Sequence, residues 1–82
     1  MKNDLDTRIK LIWDFRGPAA AQTAEHHEKH LAEFVYLENL PQGSTGFKHL
    51  SELHSIAYLV VNKSDMKDVR DILKPHRGEI YE

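Results

Sequence analysis

The chain has no cysteine, one tryptophan, three prolines and four glycines among its 82 residues. Without cysteine there is no thiol nucleophile, no disulfide frame and no thiolate metal site. Long apolar runs are also missing. The longest, Ile56 to Val61, falls far short of the roughly 20 residues a membrane-spanning helix needs, so no membrane partner is expected. The opening "MKNDLDT" lacks the apolar core of a signal peptide, which predicts a cytoplasmic protein. A basic cluster is absent as well: 11 Lys and Arg are spread along the chain against 13 Asp and Glu, for a net charge of −2. That gives no field to hold a polyanion, and nucleic acid is not an expected partner.

What is present is ordinary globular material, 40% hydrophobic and 29% charged. A chain of this length supports one modest core, so residues 1–82 form a single domain, with 1–7 polar and expected to be flexible. From Arg8 to Arg16 the pattern alternates. Ile9, Leu11, Trp13 and Phe15 point one way; Lys10, Ile12 and Asp14 point the other, as in a strand. Gly17-Pro18 stops it, with Gly17 as cap and Pro18 at the first position of a helix running to about Leu37 or Glu38. "NLPQGSTG" reads as a mobile loop. "FKHLSELHSIAYLVVN" is long enough for two strands with a turn near Leu53 to Ser55; residues 47–54 are mixed and polar, and without them the sheet would have three strands. Ser64 is placed to cap a helix carrying Met66, Val69, Ile72 and Leu73 at helical spacing; "KPHRG" ends it, and Glu79 to Tyr81 is a final strand.

The order βαββαβ is that of the ferredoxin-like α+β fold, a four-stranded antiparallel sheet with two helices on one face. In that topology the first and third strands are central, and here they are the most apolar. The edge candidates carry Lys48, Glu52, Glu79 and Glu82, charges that discourage stray pairing. Helix one offers Ala20, Ala24, Leu31, Phe34 and Val35 to one sheet face. The third strand, however, is apolar on both faces, with Ile56, Tyr58 and Val60 opposite Ala57, Leu59 and Val61. Together with Ile12 this predicts an apolar second face, and soluble monomers rarely expose such patches. A homodimer packing sheet on sheet is the expected remedy. Loop 39–46 or the N-terminal arm could cover the face instead.

With a βαββαβ order, a first helix of the form "HHEKHLAEF" and an apolar far face, the chain resembles the dimeric α+β barrel superfamily, which includes YCII-type, EthD-type and small monooxygenase-like proteins. At motif level the resemblance rests on His30-Leu31. It implies a homodimer whose sheets enclose a barrel, with a ligand cleft between sheet and helices. Some YCII-type members are thought to use a His–Asp pair, which here implies His27 or His30 with Asp14; the rest of that signature is missing. Fold alone transfers no function.

Helix geometry sorts the histidines of "AEHHEKHLAEF". With Leu31 centring the buried stripe, His27 lies about 40° away, His30 about 100° and His26 about 140°. His26 and His30 stand at i and i+4 and reach the same side of the helix surface. The string His27 to His30, His-Glu-Lys-His, is one residue short of H-E-x-x-H, and no third ligand is specified beyond His49, His54 and Asp14 as options. A solvated face is the expected reading, with no metal and no cofactor. His27, on the buried side, must satisfy its ring nitrogens, for instance with Thr23 one turn earlier. Its functional alternative is a general base oriented by Asp14. Trp13 and Phe15 are candidates for an aromatic wall around a small apolar ligand, more often simply core; His30, His49 and Tyr58 complete the candidate ligand-lining set. "GSTG" is not followed by the Lys-Ser/Thr of a P-loop. The expected function is a dimeric binding or interaction module. The alternative is a small cofactor-less enzyme, with His27 and Asp14 acting on a small aromatic or carbonyl compound.

Overall fold

A computed structural model describes residues 7–40 and 44–81. Apart from Thr7, the terminus expected to be flexible lies outside these residues, as do Pro41, Gly43 and the edge charge Glu82. The elements follow as β1 Arg8–Arg16, α1 Ala20–Leu37, β2 Ser44–Ser51, β3 His54–Asn62, α2 Lys63–Leu73 and β4 Arg77–Tyr81. The strands lie in the order β2-β3-β1-β4, every neighbour antiparallel, which is the ferredoxin-like α+β arrangement. Residues 47–51 do belong to a full strand. No helix among the described residues is long and apolar enough to cross a membrane.

Strand periodicity decides the layers. Leu11 and Trp13 of β1 and Ala57, Leu59 and Val61 of β3 share one face and form the buried core with Leu31 of α1 and Val69 of α2. Ile9, Phe15, Phe34, Val35, Met66 and Leu73 close its edges. The Trp13 indole N–H donates to the carbonyl of Leu73 at 3.1 Å, so the ring both fills the core and satisfies one of the open carbonyls at the end of α2. Trp13 is therefore core, 4% exposed, rather than the wall of an open site.

On the other face the expected exposed patch is not found. Ile12, Ile56 and Val60 keep 1%, 4% and 0% of their surface within the single chain. Tyr58 flanks them across the sheet from Ile12, with the Lys10 ammonium 4.4 Å from its ring centre. Gly46, its neighbour on β2, has no room for a Cβ because the Tyr58 ring lies against it. A strand flanked on both sides and buried on both faces explains the unbroken apolar run of β3.

Several boundaries differ from the sequence expectation. Helix α1 starts at Ala20 with Ala19 as its cap, because Gly17 takes a φ of +109°, outside helical space, and its carbonyl accepts the Ala20 N–H in a turn instead. The Gly17 N–H ties that turn to the Leu53 carbonyl at 2.8 Å. Ser64 lies inside α2; Asn62 occupies the cap position, with no side-chain capping bond. Ser44 to Gly46, expected in a loop, begin β2, where the Thr45 hydroxyl reaches Glu28 of α1 at 3.3 Å. The β2–β3 turn falls at Glu52 and Leu53, slightly earlier than expected.

Candidate functional site

Chemistry-bearing side chains gather where β1 ends. The first group stands on the sheet face away from the helices. Asp14 accepts two bonds from Arg77, from Nε at 2.9 Å and Nη2 at 3.2 Å, and a third from His54 Nε2 at 2.8 Å. Arg77 also donates to Glu79 at 3.0 Å through Nη1. Register produces this row: Arg16 pairs with His54 and Ile12 with Arg77, so both partners sit diagonally from Asp14. The carboxylate is only 17% exposed. Arg77, above all, and then His54 hold its pKa down to about 2, against burial, which pushes it up. An ionised Asp14 can only accept, so His54 Nε2 is the donor; in the neutral ring the lone pair is then on Nδ1.

The second group lies on the helix side. His27 packs against Trp13 and Phe15, its ring centre 5.0 and 5.5 Å from theirs. Its Nε2 is buried with no hydrogen-bond partner. Thr23, the expected partner, donates to the Ala19 carbonyl at 2.9 Å. Burial first, and then the neighbouring His30, His76 and His26, push the His27 imidazole below its ordinary 6.5. The angular reading of His27 as inward-facing holds. Its pairing with Asp14 does not form: Asp14 bonds His54 and Arg77, and alternation along β1 puts its side chain on the face opposite Trp13 and Phe15.

Between these groups His76 replaces a strand residue. Its N–H donates to the Ile12 carbonyl at 2.9 Å, and its Nδ1 accepts the Asp14 N–H at 2.8 Å. Beside it opens a cavity of about 390 Å³ between α2 and β4. Ile9, Leu11 and Met66 give it apolar walls; Arg70, His76 and Arg77 supply polar groups. The gap exists because α2 packs over β1 and β3, while β4 is exposed along its length. None of the five expected ligand-lining residues is among its lining residues. Trp13 is core and Phe15 packs against His27; His30 pairs with His26 on the surface of α1. His49 shares a 2.9 Å bond with the buried Ser55 hydroxyl, and Tyr58 lies on the far face. Among the described residues no group of three or more His, Asp or Glu is arranged to hold a metal.

Sequence reasoning named Asp14 and His27, gave His54 only as an optional metal ligand and expected a cleft between sheet and helices without placing it, but missed Arg77 and the pairing of Asp14 with His54. The one signal for the missed pair was alternation: His54 continues the far-face positions Ile56, Tyr58 and Val60 backward along β3. Compared with protein-family models, curated proteins and solved structures, the chain matches none.

Proposed function

We propose that the protein is a small-molecule binding module whose site is the α2–β4 cleft. The observation that carries this is the cavity itself. Its volume falls in the usual range for ligand sites, roughly 300–1,000 Å³, and it joins apolar walls to a few polar groups. Ile9, Leu11 and Met66 suit a small apolar body, and His76 Nε2–H offers a donor to orient it, since Nδ1 is occupied by the Asp14 amide. The test uses 1-anilinonaphthalene-8-sulfonate and a panel of small aromatic compounds, followed by amide chemical shifts. Shift changes confined to Leu11, Met66, His76 and Ile80, and abolished by Met66→Trp, support the reading. Scattered shifts, or the same shifts in the variant, sink it.

A specific observation favours a second reading, a cofactor-less acid–base enzyme. His54 is oriented by an ionised carboxylate that Arg77 holds in place, and its Nδ1 has no partner among the described residues. This arrangement suits removal of a proton next to a carbonyl group. Asp14 keeps its expected role as orienter, with His54 in place of His27. Deuterium exchange into small ketones, followed by NMR, tests it. The rate is expected to fall about 100-fold in His54→Gln; equal rates in the variant and the parent chain end this reading.

We further propose the homodimer that the superfamily resemblance implies. With Ile12, Ile56 and Val60 buried in the single chain, a sheet-on-sheet contact would rest on Tyr58, Lys10 and the charged row around Asp14. Mass in solution by light scattering decides it: two subunits for the dimer, one against.

A further inference from the structure

The surface of α1 carries a feature that neither the cleft nor the charged row uses. His26 and His30 are both exposed and lie one helical turn apart. Their Nε2 atoms converge to 3.1 Å, with ring centres 4.6 Å apart and ring planes 82° apart. Spacing of i and i+4 brings side chains to one side of a helix but leaves ring orientation open. Here both rings turn the same nitrogen inward.

We infer that His26 and His30 form an open, two-imidazole site for a divalent transition metal, Cu(II) foremost. At ordinary metal–imidazole distances of about 2.0–2.1 Å, two nitrogens 3.1 Å apart subtend about 100° at the metal. That angle lies between the right angle of adjacent ligands in a tetragonal site and the tetrahedral angle, so the nitrogens are already at the right separation and the rings need only re-aim their lone pairs from each other to the metal. Without metal the pair shares one hydrogen: one Nε2–H donates and the other Nε2 accepts. On binding, both Nε2 lone pairs go to the metal. The donor ring moves its hydrogen to Nδ1, so two neutral rings bind without net proton release.

The surroundings set the metal and its hold. Glu25, Glu28 and Glu33 on α1 outnumber its single Lys29, and the whole chain is anionic, which favours a cation. With two imidazoles and no third ligand grouped beside them among the described residues, the site is not a closed structural zinc centre. Water fills the remaining positions. Imidazole donors and the stability order of divalent metals place Cu(II) ahead of Ni(II) and Zn(II).

The test titrates the full chain with Cu(II), then Zn(II), in a weakly coordinating buffer near neutral pH, followed by calorimetry and electron paramagnetic resonance. One copper per chain with two-nitrogen hyperfine structure is expected, along with zinc binding at least tenfold weaker. His26→Gln and His30→Gln should each weaken copper binding tenfold or more. Both side chains are exposed, and circular dichroism checks that the variants keep their helix. Copper affinity unchanged in either variant overturns the proposal, as does binding retained by the doubly substituted chain.

Discussion

Two histidines face opposite sides of the same sheet near the end of β1, and the sheet gives them opposite chemistry. His54 lies on the outer side with a carboxylate on its Nε2, and Arg77 clamps that carboxylate. His27 lies on the helix side between two aromatic rings, with its Nε2 buried and unpartnered. The difference comes from the alternation of β1. Trp13 and Phe15 build an apolar wall for one imidazole, and Asp14, between them in sequence, serves the other. A titratable ring is thus defined by the strand face it meets more than by its own element.

The largest effect should come from removing the shared anchor. Asp14→Ala strands Arg77 and His54 without their carboxylate and is expected to lower stability at pH 7 by about 2 kcal/mol in urea unfolding. The acid limb carries the same information. The Asp14 carboxyl is depressed in the folded chain, so its contribution is complete above about pH 4 and is lost as the pH falls from 3.8 towards 2. The variant should lose that part of the pH dependence; an unchanged acid limb would show that the clamp stabilises nothing.

His27 gives the opposite sign of substitution. Its folded-state pKa is lowered, so the unfolded chain takes up a proton first and stability falls as the pH drops below about 6.5. His27→Leu removes the unpartnered nitrogen and should raise stability by about 1 kcal/mol while flattening this limb. A loss of stability would mean that Nε2 finds a partner in solution. His54→Ala is a smaller change, expected to cost about 0.5 kcal/mol, because Asp14 keeps both bonds from Arg77. The smallest and most local readout is fluorescence. Trp13, the chain's one tryptophan, touches the His27 ring, and an imidazolium there should quench it. The emission is expected to fall with a midpoint below 6.5 and to stay flat in His27→Leu.

Much of this architecture was legible in the sequence. The alternation from Ile9 to Phe15 predicted both the strand and its faces, and the helical angle of His27 predicted its inward position. Those are local properties, set by periods of 2 and 3.6 residues. The Asp14–His54 pair was not legible because it depends on the register of two strands 40 residues apart, where a slip of one residue sends His54 to the other face. The helix boundaries erred for another reason. Gly17 and Ser64 are good caps by type, but each side chain or backbone was committed elsewhere, Gly17 to a turn held by Leu53 and Ser64 to the interior of α2. A cleft between sheet and helices was expected, but its position was not legible, because it depends on which strand α2 leaves exposed.

That exposed strand joins the two ends of the chain's story. Among the described residues β4 is paired only to β1, 65 to 73 residues earlier in the chain, and it is exposed along its whole length. Little burial holds β4 in place, so it is the element expected to detach first. Its first latch is the His76 ring on the Asp14 amide, a side chain doing the work of a strand carbonyl. Detachment would widen the cleft from its side. Occupancy would then appear in hydrogen exchange as slower opening of one short strand, and binding strength would be tuned by residues that never touch the ligand.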